Sequence, residues 1–475
     1  MRLAAALRND VRLQVRHGFY AAYAVVICAY LVLLHALPPH AREVLLPLLV
    51  LTDPAVYGFV FVGGILLLER SDGTLESLFV SPLRPLEYVA SKALSLGLLA
   101  LASAFALVLP VTGLPAHPLV FAAGVGLTAT FFVCIGIAAA TRFRSFVSFM
   151  LGAGIGISVF FLPVLRPLGL LDTPWLRLLP TDATLRLVGL GLGRGDGPLA
   201  LPLLVLATSN AAALVWALRW LDRHVIASGA VPTAKATRHR AVPTRPGRLA
   251  ALLAADGRNL TRDPVLLFVA LFFVPLGLAV RFGLPALQAW LAQDLTPWLP
   301  LLAAFLITTT PLTFGWAAGF LLLDERDEGV LTAFAVTPFS ARRFLAWRLA
   351  LPTAVGFGAA LLVLPLAGLG AAPDALLAAA AVAALEAPIY ALFLASYAAN
   401  KIEGMALGKM ASLVSLGPLA LLLPWPWQAA GTILPPYWIA RTLTDASPWP
   451  ACAAGLLLHL GLLLLLRRRF VTSAA

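Results

Sequence analysis

The stretch LLLERSDGTLESLFVSP, residues 66–82, is matched by a second stretch, LLDERDEGVLTAFAVTP, residues 322–338. Each stretch leaves a long apolar segment with Glu-Arg, reaches a glycine three residues after the arginine, continues with apolar residues and ends in proline. The offset is constant at 256 residues, so that Glu69 corresponds to Glu325. An internal repeat of this kind predicts one structural unit present twice, and repeated membrane halves are a known transporter design.

The composition indicates a membrane protein. The chain has 475 residues, of which 61% are apolar and 12% are charged, whereas soluble domains have about 25% charged residues. Apolar runs of the length needed for a spanning helix, about 20 residues, recur throughout. The composition therefore excludes an ordinary soluble enzyme. The three cysteines, Cys28, Cys134 and Cys452, lie in or beside apolar segments, and their number and spacing predict neither a disulfide framework nor a metal site.

The apolar runs predict an all-α integral membrane protein with about twelve transmembrane helices in two six-helix repeats. The predicted spans are 19–37, 44–68, 93–111, 118–141, 146–166, 199–218, 265–284, 298–323, 349–371, 374–399, 410–424 and 449–466. The first half is assigned to residues 1–221 and the second to 264–475, with a basic, proline-bearing cytoplasmic linker at 222–263 between them. Residues 2–16 have leucine and valine at four-residue spacing and predict an interfacial amphipathic helix.

Basic residues fall mainly on one side of this topology. Of the 34 Lys and Arg residues, 27 lie on the side of the N-terminus and 7 on the other side. The positive-inside rule then places both termini in the cytoplasm of a prokaryotic plasma membrane protein. The net charge of +12 is accounted for in this way without a nucleic-acid partner, and the basic faces are expected to hold anionic lipid headgroups.

The two repeated stretches begin predicted cytoplasmic loops at 69–92 and 324–348. Glu-Arg ends the span in the headgroup zone, and Gly73 permits a tight reversal of the chain. At the end of the loops Lys92 corresponds to Arg348, which keeps the charge. A short amphipathic helix after the glycine would lie across the membrane face, either as a structured inside loop without a partner or as a docking element.

The first loop resembles the loop after the second span in permeases of the ABC type-2 export family. Shared with that family are six-span halves, an amphipathic N-terminal helix, an external proline-containing element between spans five and six, and cytoplasmic coupling helices. The resemblance implies a fused pseudo-dimer that exports an amphipathic drug or lipid, driven by ABC ATPase subunits in two copies. The residues that it assigns to ATPase contact are Glu69, Arg70, Gly73, Leu75, Leu78, Pro82, Glu325, Arg326, Gly329, Leu331 and Pro338.

The chain itself has no phosphate-binding loop of the Gly-x4-Gly-Lys-Ser/Thr form. Its one Gly-Lys pair, Gly408-Lys409, is followed by methionine. We therefore expect a transport subunit that is not an enzyme and has no cofactor of its own, with ATP and Mg²⁺ bound by the partner subunit.

Ionisable residues inside predicted spans are candidate sites on a substrate path. Asp53 lies in the second span, Glu386 near the middle of the tenth and His459 in the twelfth. A charge at that depth costs about 2.5–3.5 kcal/mol on insertion scales. Each residue either contacts substrate or is satisfied by a neighbouring helix.

The alternative interpretation is a proton-coupled secondary transporter of the major facilitator type, which also has two six-span repeats. That family has a short, basic loop after the second span, whereas residues 69–92 are longer and mixed in charge. Proton coupling would then depend on Glu386. A membrane-embedded enzyme is a third class, for which the sequence offers no interfacial active site.

Overall fold

The computed structural model is built from helices. It describes residues 2–36, 39–52, 57–71, 73–75, 83–143, 146–167, 173–195, 197–223, 273–291, 294–327, 341–426 and 428–473. The first half contains α1 (Arg2–Arg16), α2 (Phe19–Ala36), α3 (Pro39–Val50), α4 (Tyr57–Ser71), α5 (Pro85–Thr112), α6 (Pro118–Ala140), α7 (Phe146–Ser158), α8 (Pro180–Gly191) and α9 (Ala200–Leu221). The second half contains α10 (Phe273–Leu291), α11 (Leu299–Asp327), α12 (Ala341–Ala367), α13 (Pro373–Ala384), α14 (Glu386–Tyr397), α15 (Lys401–Ser412), α16 (Gln428–Gly431), α17 (Pro435–Thr444) and α18 (Pro448–Ser473).

The helices confirm an all-α integral membrane protein. Within the described ranges, nine helical segments are long and apolar enough to cross a membrane, and there are ten if α1 and α2 are taken together as one bent span. The two remaining predicted spans, 44–68 and 265–284, each include residues outside those ranges. Helix α7 continues as a 3₁₀ segment over Val159–Leu165, and α15 continues likewise over Leu413–Leu422.

Each half is assembled around its second and fourth spans. In the first half α4 packs along α6, and in the second half α11 packs along α14. Both contacts depend on a glycine. A Cβ atom at Gly136 of α6 would lie 2.8 Å from the carbonyl oxygen of Phe59, and one at Gly315 of α11 would lie 2.5 Å from that of Ala387. Small residues let helix backbones approach closely in membranes, where lipid is as apolar as the side chains.

The amphipathic N-terminal helix is confirmed, and its buried face is polar as well as apolar. Helix α1 meets α2 at an angle of 59° and packs against α5. Asp10 and Gln14 are its buried residues. They follow Leu3 and Leu7 at helical spacing, so they share the face that turns toward the protein.

The segments between spans five and six are also helical in both halves. A 3₁₀ turn at Pro174–Leu178 precedes α8, and α17 occupies the corresponding place in the second half. In α8 the buried Asp182 forms ion pairs with Arg166 and Arg186. Proline begins both α8 and α17 at the first helical position, where the missing N–H costs nothing.

Three helices extend beyond the bounds of the predicted spans. Helix α5 begins at Pro85 and α11 extends to Asp327, so the helices take up parts of both predicted loops. The eleventh span begins at Lys401 rather than at residue 410. Lys409 is therefore a buried residue within a span, although the charge count had placed it in a cytoplasmic loop. Apolar periodicity does not show how far a helix continues beyond the membrane.

Two of the helix contacts between the halves are reciprocal, and α15 also packs on α2 of the first half. Helix α4 of the first half packs on α15 of the second, and α11 of the second half packs on α7 of the first. Spans two and five of each half therefore meet spans five and two of the other. This is the arrangement expected of two copies of one unit related by a twofold axis.

Replacing Gly315 by alanine is expected to lower the free energy of unfolding by about 1–3 kcal/mol, because the added methyl group collides with backbone rather than with a movable side chain. Gly358→Ala is the matched control, since no atom lies within 4 Å of a Cβ there and alanine favours helix. Thermal unfolding of the detergent-purified protein measures both. Equal melting temperatures for the two variants would contradict the close approach of α11 and α14.

Candidate functional site

The first repeated loop begins with a glycine in the left-handed conformation. Helix α4 ends at Ser71, and Gly73 has φ of 66°. Its N–H donates to the carbonyl oxygen of Arg70 at 3.3 Å, and the Thr74 hydroxyl donates to the carbonyl oxygen of Glu69 at 2.9 Å. These bonds satisfy carbonyl groups that the helix end leaves open. The glycine thus has the positive φ that a tight turn requires.

Glu69 belongs to a buried cluster of four polar side chains. Lys92 Nζ donates to Glu69 Oε1 and to Asp10 Oδ1, both at 2.6 Å. The Tyr88 hydroxyl donates to Glu69 Oε2 at 2.6 Å. Lys92 is only 2% exposed, so its charge depends on these two carboxylates. The cluster joins α1, the end of α4 and the first turns of α5.

The same acid–base pair occurs in the second half. Glu325 at the end of α11 forms an ion pair with Arg348 of α12. These are the residues that correspond to Glu69 and Lys92 at the 256-residue offset. The second pair is more exposed, since the side chains of Arg348 and Glu325 are 25% and 17% accessible. The repeat in sequence is thus a repeated contact between spans two and three.

Arg326, the residue after Glu325, donates hydrogen bonds to the end of another span. Its guanidinium donates to the carbonyl oxygens of Ala395, Ala398 and Ala399 at 3.0, 2.8 and 2.9 Å. These carbonyls lie at the C-terminal end of α14, where a helix leaves acceptors unsatisfied and favours positive charge. The Glu-Arg dipeptide therefore connects the end of span two to spans three and four of the second half.

Leu75 is fully buried in the core of the first half, together with residues of α4 and α5. Its side chain supports the loop from inside, as does that of Glu69. Arg70 is partly exposed. The other predicted contact residues of the loops, and Asp53, lie outside the described residues. These loop residues are Leu78, Pro82, Gly329, Leu331 and Pro338.

The structure brings Glu386 and His459 together. Both are fully buried, and His459 Nε2 lies 3.3 Å from Glu386 Oε1. His459 Nδ1 is 2.7 Å from the carbonyl oxygen of Gly455. Oε2 of Glu386 has no hydrogen-bond partner among the described residues. The pair joins α14 to α18 at the break between α13 and α14, within a single half.

The contact between the halves is aromatic. Phe146 of α7 lies against Phe320 of α11, with ring centroids 4.8 Å apart, and against Trp316 at 6.3 Å. On the reciprocal side, a Cβ at Gly64 of α4 would lie 2.3 Å from the terminal methyl of Met405 in α15. The halves therefore meet through large side chains on one pair and a glycine on the other.

Polar residues border the same contact. Lys409 of α15 places its ammonium 3.8 Å from the ring centroid of Tyr23 in α2. At the end of α15 near Lys401, His17 of the first half lies 3.5 Å from Glu403 of the second. Asn400 caps α15 by accepting from the N–H groups of residues 402 and 403. This border gives the contact a buried cation and a polar rim.

Known proteins match each half separately. The model of the fluoroquinolones export permease protein family matches residues 1–229, and that of the fluoroquinolones export permease protein Rv2686c-like family matches residues 256–467. Fluoroquinolones export permease protein Rv2686c of Mycobacterium tuberculosis H37Rv is 32% identical over 240 residues, 47% of this chain and 94% of the relative. The chain belongs to this family of export permeases. Protein Rv2687c of the same strain is 33% identical over 189 residues, 40% of this chain and 80% of the relative.

These matches confirm the predicted resemblance to permeases of ABC type-2 exporters. The permease is a multi-pass membrane protein of the export class, with two fused halves that correspond to the two family matches. Since 240 residues make up nearly all of the first relative, that relative has the length of one half. The fused chain is thus about twice that length.

Sequence reasoning missed the partners of Lys92. Neither Asp10 nor Tyr88 is predicted as a partner of this lysine. The available signal was helical spacing, because Asp10 shares a face with Leu3 and Leu7. A carboxylate on the apolar face of an interfacial helix predicts a buried cation.

Lys92→Met in the permease is expected to lower the free energy of unfolding by about 3–5 kcal/mol, because it leaves two carboxylates buried without their cation. Adding Asp10→Asn and Glu69→Gln removes those charges and should recover part of the loss. Chemical denaturation in detergent measures the series.

The control is Arg441→Met, which breaks an ion pair with Asp445 whose side chains are 37% and 29% accessible. Such a pair contributes about 0–1 kcal/mol. An equal loss in Lys92→Met and Arg441→Met would show that burial does not matter for the cluster.

Proposed function

We propose that the permease is the transmembrane part of an ATP-driven exporter, powered by separate ABC ATPase subunits. Two ATPase copies would dock on the loops within 69–92 and 324–348, one on each half. ATP and Mg²⁺ belong to those subunits. Both chain termini and the loops lie on the cytoplasmic side of the plasma membrane, where the 222–263 linker joins the halves 1–221 and 264–475 and lipid headgroups meet the basic faces.

One observation carries this proposal. Helix α4 is directly followed by the first loop and also packs against α15 of the other half. Helix α11 is likewise followed by the second loop, and it packs against α7 of the first half. A force applied to either loop therefore reaches the contact between the halves through a single continuous helix. Rigid-body movement of packed helices is a common way to switch between two states.

Polar contacts at the loop ends of the spans make this transmission stiff in both halves. Lys92 ties the end of α4 to α5 and to the interfacial helix α1. Arg326 ties the end of α11 to the end of α14. Movement of a loop would therefore shift spans two, three and four of its half together, while the contact with span five of the other half changes.

The substrate proposed is an aromatic amphipathic molecule of the drug class, with fluoroquinolones as the first candidates. The relatives named above are export permeases for fluoroquinolones. Phe146, Trp316 and Phe320 place aromatic faces where the halves meet, and such faces stack on planar rings. Lys409 adds a buried cation at that contact, which complements a carboxylate on the substrate.

The proposal is tested by copurification from native membranes. The C-terminally tagged permease should retain a subunit that mass spectrometry identifies as a P-loop ATPase, and ATP hydrolysis should accompany drug uptake into inverted vesicles. Gly73→Val with Gly329→Val should uncouple hydrolysis from uptake, because the valine at residue 73 must adopt a positive φ, at a cost of about 1–2 kcal/mol.

Gly195→Val provides the matched control. Gly195 has φ of 77° and no atom within 4 Å of a Cβ, but it lies on the external side of the topology. This variant should keep hydrolysis coupled to uptake. Normal coupling in the double loop variant, or the same defect in Gly195→Val, would refute docking at the loops.

A second candidate function, proton-coupled transport, would depend on the buried Glu386–His459 pair. We infer instead that the pair is a helix-to-helix bond, because both side chains are fully buried between α14 and α18. Glu386→Gln cannot titrate but keeps the size and hydrogen-bonding capacity of the side chain. ATP-dependent drug uptake by this variant should survive, also after an ionophore collapses the proton gradient. Loss of uptake in Glu386→Gln, with wild-type uptake insensitive to ATP depletion, would establish the second candidate.

A further inference from the structure

An apolar furrow lies on the flank of the second half. It is a cavity of about 710 Å³ between α12 and α18, and its floor is formed by the α13–α14 junction. The side chains that line it are apolar except for Thr353 and for Arg467, and Arg467 lies at one end. All of the lining residues belong to the second half, so the furrow is separate from the contact between the halves.

Small side chains create the furrow. Ala346, Ala350 and Ala354 recur every four residues along the α12 wall, which puts them on one face of the helix. At the 256-residue offset, Ala350 and Ala354 correspond to Leu94 and Leu98 of α5. Those leucines are 48% and 55% exposed. The first half thus has larger side chains than the second at these two positions.

The furrow has the length of one lipid chain. Its α12 wall runs from Leu345 to Phe357, a distance of twelve helical steps, or about 18 Å at 1.5 Å per residue. One leaflet of the hydrocarbon core is about 15 Å thick, half of the bilayer value. The furrow therefore extends from the basic end of the bundle to the depth of the break at Leu385.

The open end of the furrow is positively charged. Arg467 lines it and is followed by Arg468 and Arg469, all three exposed. Within the described part of the chain Arg467 forms no ion pair with an acidic residue. Two described acidic residues near that end pair with other cations, Asp324 with Lys401 and Glu325 with Arg348.

We propose that this furrow binds one acyl chain of an anionic phospholipid from the cytoplasmic leaflet, with the headgroup on Arg467. The proposal rests on the cytoplasmic orientation given under the proposed function, and it does not depend on the substrate or on the ATPase. The chain would lie against Ala350, Ala354 and Pro388, while the phosphate accepts hydrogen bonds from the guanidinium. The lipid would support α12 and α18 on either side of the break in the tenth span.

Native mass spectrometry of the detergent-purified permease tests this proposal. Phosphatidylglycerol is titrated against phosphatidylcholine with the same acyl chains, and bound lipids are counted per chain. The wild type should bind phosphatidylglycerol in preference. Arg467→Gln should weaken that binding about fivefold, which corresponds to the contribution of about 1 kcal/mol expected of one basic residue near an anionic lipid.

Filling the furrow is the second arm of the experiment. Ala350→Leu with Ala354→Leu introduces the residues that the first half has at the same positions, and it should abolish the tight binding of phosphatidylglycerol. Arg468→Gln and Leu362→Phe are the controls for lost charge and added bulk, since neither residue lines the furrow and Leu362 is exposed on the same helix. Circular dichroism confirms that each variant is folded.

Three outcomes would overturn the proposal. In the first, phosphatidylcholine binds as tightly as phosphatidylglycerol. In the second, the alanine-to-leucine variant keeps the wild-type number of bound lipids. In the third, Arg468→Gln weakens binding as much as Arg467→Gln, so that diffuse charge rather than the furrow holds the lipid. Because no transport is measured, each outcome is independent of whether the permease is an ATP-driven exporter.

Discussion

The duplicated ion pair between spans two and three is the interaction on which each half depends. Glu69 meets Lys92 and Glu325 meets Arg348 where spans two and three approach the loops. Because a buried charge is costly without its partner, only one rotation of each helix about its axis keeps both charges satisfied. The pair therefore specifies the register of α4 on α5 and of α11 on α12. Span four then packs along span two in each half.

Glycine determines how close the helices come once their register is set. A hydrophobic driving force between helices is absent in lipid, so packing depends on shape. The first half places the glycine of its central contact on span four, as Gly136, whereas the second half places it on span two, as Gly315. Spans two and four thus approach closely in both halves, but the glycine that permits this lies on span four in the first half and on span two in the second. Gly64 of α4, in turn, leaves room for Met405 of the other half.

The sequence was sufficient for the architecture because the signals for it are local. Spans follow from apolar length, the repeat from matched residues, and α1 from its periodicity. The partners of the buried charges were not accessible in the same way. Glu386 and His459 are 73 residues apart in the sequence, and each was predicted as a candidate site by itself. Which helix satisfies a buried side chain depends on tertiary packing, and helix ends outside the membrane have no apolar signal at all.

Fusion of the two halves explains why they differ in chemistry while sharing an architecture. In a homodimer every substitution occurs twice, so an acid inside one span would appear in both subunits and each copy would need its own partner. In this chain Glu386 and His459 occur in the second half alone. Asp10 and Tyr88 surround the acid–base pair of the first half, whereas the pair of the second half lies at a more exposed place. The break in span four, between α13 and α14, belongs to the second half. Because both halves belong to one chain, every molecule contains one half of each kind, and these differences are present in every copy of the permease.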